Sequence, residues 1–341
     1  MNVFVYGGGN IAHSIAATVS LSQPVTVITR QPMKWSRRLV VEQSGKMFES
    51  MFDVAATDDV RMATAADLVF VALPQFVIGE AVDRLSGVLR SSATVAFVPA
   101  PAISLDVMRQ LSAVDVNVAG FQRVPYISRI VEYGKRVRIS SNRSVHRVAF
   151  STDSQVEFLS EKFTRWFGGS VSRLSSFLTF VFNNSNPLLH PSRMVVLFRN
   201  WRERFYPENP PFYADWTDES SELYVAADRE MLSVMRVVDP TGACERDYES
   251  VLVHYGVSSV AGLTSKLRSI PSFRGILSPM KWQDERWVPD FSSRYFIEDV
   301  DIGLARIVHY ASRMHVVVPV LNALFTNARR RFVGPELIDL R

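Results

Sequence analysis

The chain has 341 residues, 47% of them hydrophobic and 21% charged, with 38 Lys and Arg against 34 Asp and Glu. That length calls for two domains rather than one ordinary core, and a net charge of +4 without a recognisable nucleic-acid module argues against a nucleic-acid partner. The sequence also lacks an apolar run long enough for a membrane span, a basic signal-peptide start and any cysteine beyond Cys244, so a cytoplasmic protein without disulfide, membrane partner or metal is expected.

In chain order, Val3 to Tyr6 predict a strand that breaks into Gly7-Gly8-Gly9 and resumes as an alanine-rich helix at Asn10-Ile11-Ala12. Gly7, Gly9 and Ala12 occupy the positions of a GxGxxA turn. The first glycine permits the turn, the second admits a pyrophosphate against the backbone, and the small third residue lets helix pack on strand. The helix N-terminus then offers unpaired N–H groups to an anion. A glycine-rich turn can also be only a turn.

Val25 to Thr29 predict the second strand, at whose end an acid normally accepts from the ribose 2′-hydroxyl. Here the strand ends in Thr29-Arg30-Gln31, and the next carboxylate is Glu42. A guanidinium at that place favours NADP over NAD, which stays open, with Lys34, Arg37 and Arg38 as further cations; the alternative is a solvated basic loop.

Asp67 to Leu73 form a nearly all-apolar run stopped by Pro74, as expected of a buried parallel strand. Ala93 to Val98 and Val116 to Ala119 are similar, with helical patterns at Phe76 to Leu89 and Ile103 to Leu111. Ligands of open α/β sheets bind outside the carboxyl ends of strands, so Leu73, Pro74, Pro99 and Ala100 either line the cofactor or merely stop strands. Strands at Arg136 to Ser140 and Arg147 to Ser151, then a helix from Gln155 to Phe167, complete a doubly wound parallel α/β sheet of Rossmann type over residues 1–172.

Residues 173–341 read as a mostly α-helical second domain. Leu223, Ala227, Met231, Met235 and Val238 recur at helical spacing, as do Leu304, Ile307, Val308, Ala311 and Met314. Between helices, Arg199 to Ser220 is rich in proline and aromatic residues and is either a pocket cover or an ordered surface connection. In Asn186-Pro-Leu-Leu-His190-Pro191, the proline disfavours helical geometry at His190, which would set the ring at a break where it can project. For Arg294 and Asp299, the plain alternatives are a surface ion pair and a helix cap.

Together, VYGGGNIAHSIA, NNSNPLLHP and RYFIEDVDIGL resemble the octopine/nopaline (opine) dehydrogenases, and the likeness runs along nearly the whole chain. The resemblance implies a Rossmann domain followed by a helical domain with catalysis between them. The implied reaction condenses an amino acid with a 2-oxo acid and reduces the imine with NAD(P)H to a secondary amine dicarboxylate. It assigns His190 as acid/base, Asp299 as its orienting carboxylate, Arg294 as a clamp for a substrate carboxylate and Asn186 as a supporting polar contact. Three positions depart from the family: Ser128 stands where a cysteine is common, and Asp301-Ile302 replace a proline and an aromatic. Asp301 then either attracts a basic amino acid or faces water. A ketopantoate-reductase-like enzyme making an alcohol, and a non-catalytic dinucleotide-binding regulator, are the other readings; a homodimer is compatible with all three.

Overall fold

The structure, a computed structural model, describes residues 1–102 and 104–332. Ile103, where one helix was expected to begin, and 333–341, at the end of the second domain, lie outside the described residues. Contacts divide the chain between Phe180 and Val181 into two compact units.

The first unit opens with β1 (Val3–Tyr6), α1 (Asn10–Val19) and β2 (Val25–Thr29), followed by the hairpin β3 (Arg38–Gln43) and β4 (Lys46–Met51) and by β5 (Asp53–Ala56). Next come β6 (Leu68–Val71), α2 (Ile78–Ser86), β7 (Thr94–Phe97), α3 (Ser104–Ser112) and β8 (Asn117–Phe121). It closes with β9 (Tyr126–Glu132), β10 (Arg136–Asn142), β11 (Val145–Phe150), α4 (Val156–Phe167) and β12 (Ser170–Arg173). Among the described residues, the large sheet runs β12-β11-β8-β7-β6-β1-β2-β5. It is parallel except where β11 meets β8.

Side-chain alternation along β1 explains why both faces are covered. Val3 and Val5 join one core with the apolar faces of α1 and α4, while Phe4 and Tyr6 join another with α2 and α3. From β1 the chain winds outward through β2 to β5, then returns to the other side at β6. The order therefore reverses between β1 and β6, at whose carboxyl ends a ligand crevice forms in such sheets.

A second sheet, β4-β3-β10-β9, was not foreseen; β10 is the strand expected at Arg136 to Ser140, which pairs here and not in the large sheet. Its strands are half exposed: Leu39 and Val41 point inward while Arg38 and Glu42 point out, and Ser44-Gly45 supply the two positive-φ residues of a tight hairpin. This sheet covers the face of α1 that the large sheet leaves open, so α1 is buried nearly all round, as its small side chains allow.

His13 is locked inside this sandwich as a neutral ring. Nδ1 donates to the Gly9 carbonyl at 2.9 Å, Nε2 accepts from the Gly134 amide at 2.9 Å, and Trp35 packs on it at 4.0 Å. Burial lowers its pKa from 6.5 to about 4. The unfolded ring takes up a proton first as pH falls, so stability present above pH 6.5 is lost on the way to about pH 4. We expect a His13→Gln variant to lack about 3 kcal/mol of this pH-dependent stability. Urea unfolding of both proteins at several pH values checks it; parallel stability curves would refute it.

The second unit contains α5 (Thr179–Phe182, begun in the first), α6 (Asn186–Leu197), α7 (Asp218–Val238), α8 (Ala243–Arg246), α9 (Val251–His254) and α10 (Val260–Ser269). After the hairpin β13 (Met280–Gln283) and β14 (Arg286–Pro289) come a π-helix (Tyr295–Leu304), α11 (Ala305–Arg313) and α12 (Pro319–Arg329). Leu304, Ile307 and Ala311 are buried as their spacing predicts, whereas Met314 lies past the end of α11 and is exposed. Among the described residues no helix is long and apolar enough to cross a membrane.

Candidate active site

In the first unit the glycine turn sits at the sheet's reversal point. The Gly7 amide donates to the Ile28 carbonyl at 3.0 Å, and with φ +152° a Cβ there would overlap the Ala72 carbonyl oxygen at the end of β6. Gly8 faces Thr29 and Tyr133, whose hydroxyl oxygens would lie 2.9 and 2.6 Å from a Cβ. Gly9 differs from both. It caps α1 in an extended conformation, a Cβ on it would meet nothing within 4 Å, and no side chain caps the helix. Ala12 is fully buried.

Asn10 turns away from the opening, its Oδ1 accepting from the Ile130 amide at 2.8 Å, and so ties the helix start to β9. Ser128 does the same from below, donating to the Asn10 carbonyl at 3.2 Å. Ile11 and Leu73 are half buried, Thr29 is buried, and Arg30 and Pro74 are exposed. Gln75, overlooked in the sequence, accepts from the Ala102 amide through Oε1, but its buried Nε2 has no partner among the described residues. The open face of Gly9, an uncapped helix N-terminus and an orphaned amide fit a dinucleotide.

In the second unit the expected pair meets. His190 on α6 and Asp299 on the π-helix, 7% and 9% exposed, are joined by Nδ1 donating to Oδ2 at 2.7 Å. A carboxylate on Nδ1 places the proton there and leaves Nε2 as the basic atom. Nε2 accepts from the Tyr213 hydroxyl at 3.0 Å, and the Tyr295 ring lies 4.2 Å from the imidazole centroid. Neither tyrosine was singled out in the sequence. Tyr295 stands four residues before Asp299, so one face of the π-helix both packs a ring against the imidazole and hydrogen-bonds it.

One sequence expectation is corrected here, and one alternative reading falls. Pro191 does not break the chain at His190: α6 runs on through it. The missing amide forfeits one hydrogen bond, to the Pro187 carbonyl near the helix start, which packing of the helix's buried residues outweighs. Nor does Asp299 cap a helix, since it lies within one. The same two helices touch again at Gly303, where a Cβ would collide with Pro187 Cγ and lie 2.9 Å from Pro187 Cβ. Pro187 and His190 are one turn apart on α6, matched by Gly303 and Asp299 on the π-helix, so the two motifs are the two sides of one contact.

Arg294 is not brought against the pair. Its side chain is 79% exposed, and Nη2 donates to Glu298 at 2.7 Å, which raises its already high pKa. Asn186 begins α6 and is exposed. Asp301 lies 3.4 Å from Arg329 at the surface.

The Arg199–Ser220 segment is no mere surface connection, for Phe212, Tyr213 and Trp216 are buried. Arg193, one turn after His190 and 4% exposed, donates Nε to the Phe212 carbonyl at 3.2 Å. Burial lowers its pKa to about 10. The Phe212 amide reaches Ile276, and Arg268 donates to the Trp216 carbonyl at 2.7 Å. Tyr213 stacks on Phe273 with centroids 4.0 Å apart. Burial, with Tyr295, Tyr255 and Asp299 nearby, holds the Tyr213 phenol well above its ordinary pKa.

Residues 173–330 match the family described as NAD/NADP octopine/nopaline dehydrogenase, alpha-helical domain. Octopine dehydrogenase of Pecten maximus is 23% identical over 99% of this chain and 92% of its own length. Tauropine dehydrogenase of Arabella iricolor is 23% identical over 88% and 84%. A solved octopine dehydrogenase with NADH and L-arginine superposes with a TM-score of 0.84 at 22% identity, covering 99% of this chain and 91% of the other.

Proposed function

Because residues 173–330 match the octopine/nopaline dehydrogenase helical domain and octopine dehydrogenase aligns along nearly the whole chain, we propose that this protein condenses an amino acid with a 2-oxo acid and reduces the product to a secondary amine dicarboxylate. The bound dinucleotide supplies the hydride that reduces the imine carbon. Gly7, Gly8, Gly9, Asn10, Ile11 and Ala12 form the cradle for its pyrophosphate, with Thr29, Arg30, Leu73 and Pro74 beside it.

The observation that carries the reading is the His190–Asp299 contact. Attack of the amino nitrogen on the keto carbon gives an ammonium alkoxide, and two protons must then pass from nitrogen to oxygen before water leaves. His190, with Nδ1–H held by Asp299, takes each proton in turn and delivers it to the oxygen; Asp299 stabilises the imidazolium in between. Glu298 occupies one edge of the Arg294 fork, and the other is assigned to a substrate carboxylate, which Arg meets with parallel hydrogen bonds. Asn186 is given a supporting polar contact.

Arg30 follows β2 where an acid would accept from a 2′-hydroxyl, and its exposed guanidinium suits a 2′-phosphate. We expect dinucleotide oxidation only when an amino acid and a 2-oxo acid are both present, with kcat/KM for NADPH at least about tenfold above NADH, the scale of one charge-assisted contact. Steady-state rates over a panel of both substrates check this. Turnover with the oxo acid alone would replace the reading by alcohol formation, and equal rates with both dinucleotides would remove the role of Arg30.

A further inference from the structure

We propose that Tyr213, not His190, is the group that exchanges the proton with the substrate, so that Asp299, His190 and Tyr213 form a three-member chain ending at the phenol oxygen. This rests on the reductive-condensation reading above and changes which atom meets the substrate.

Both imidazole nitrogens are already engaged, Nδ1 with Asp299 at 2.7 Å and Nε2 with Tyr213 at 3.0 Å. A substrate can reach Nε2 directly only if Tyr213 leaves. Its surroundings oppose that. The ring is 4% exposed, stacked on Phe273, and carried by a segment bolted at Phe212 by Arg193 and Ile276 and at Trp216 by Arg268. The phenol oxygen has no hydrogen bond besides that to His190 among the described residues, so a lone pair remains for an incoming N–H. Burial keeps the phenol protonated near neutral pH, as a donor to Nε2 must be.

The transfer balances without a further reactant. The amine proton moves to Tyr213 Oη while the phenol proton moves to His190 Nε2, leaving a neutral phenol and an imidazolium paired with Asp299. Reversing both transfers protonates the alkoxide formed by attack, and a second pass carries a proton from the carbinolamine nitrogen by the same route to its hydroxyl, which departs as water.

Tyr213→Phe keeps the ring and removes the relay. In single turnover with both substrates saturating, we expect the rate to fall about 100-fold, with dinucleotide binding and substrate KM little changed. The solvent deuterium proton inventory should pass from bowed, two protons in flight, to linear. An unchanged rate, a faster rate or an inventory that stays bowed would overturn the relay. Should Tyr213→Phe melt at a markedly lower temperature, 3-fluorotyrosine at position 213 decides: a more acidic phenol of nearly the same shape must shift the pH–rate profile, and an unshifted profile rejects the proposal. His190→Ala distinguishes the two levels. If it retains full activity the condensation mechanism falls; if it is inactive while Tyr213→Phe is normal, only the relay falls.

Discussion

Replacing His190 with alanine is expected to lower kcat by about 1000-fold while leaving dinucleotide affinity unchanged. The expectation follows from position: the imidazole holds two buried partners at hydrogen-bond distance, and the glycine turn lies in the other compact unit. Asp299→Asn should lose a comparable amount by a different route. An amide can donate to Nδ1 as readily as accept from it, which moves the ring proton to Nε2 and turns the basic atom into a donor facing the Tyr213 hydroxyl. The double variant should be little worse than either single one, because groups that act as a unit lose their effect together. Rate measurements on the three variants, with dinucleotide titration and thermal melting alongside, test this. Additive losses, or a His190→Ala enzyme with full turnover, would refute the pairing as the catalytic device.

The second large effect is expected at Gly303, which touches no substrate in this account. Its missing side chain lets the π-helix approach α6 at Pro187, and that approach sets the His190–Asp299 separation one turn away. Gly303→Ala places a methyl group onto the proline ring. The strain should cost about 2 kcal/mol of stability, and a shift of the carboxylate by about 1 Å should cost as much as 100-fold in kcat. Shortening Pro187 to alanine in the same chain makes room and should recover part of both losses, a coupling that independent sites would not show. A Gly303→Ala protein with unchanged melting temperature and turnover would contradict the contact's importance.

The cofactor half was readable because glycine requirements are local. A turn that must clear the Ala72 carbonyl and leave space at Gly9 writes itself into three consecutive residues, and the buried strands around it are uniformly apolar. The pairing of His190 with Asp299 spans 109 positions and was reached only through resemblance. Tyr213 stood in a segment noted for its aromatics, yet nothing local distinguishes a tyrosine that packs from one that hydrogen-bonds an imidazole. The second sheet escaped notice because its strands carry charges on one face and pair across distant stretches, β3 with β10. Pro191 misled for a thermodynamic reason: one absent hydrogen bond is a small penalty for a helix whose remaining surface is buried.

The covering sheet also bears on how nucleotide preference can be re-engineered. Residues following Arg30 do not form a loose loop: the Ser36 amide donates to Gly134 at 2.8 Å, the Val40 amide to Lys135 at 2.8 Å, and Gly134 in turn holds the His13 ring beneath the glycine turn. Grafting this stretch from a homologue of opposite preference would therefore pull out the support under the glycine turn. Single exchanges at Arg30 or Lys34, both on the outside, leave that support in place.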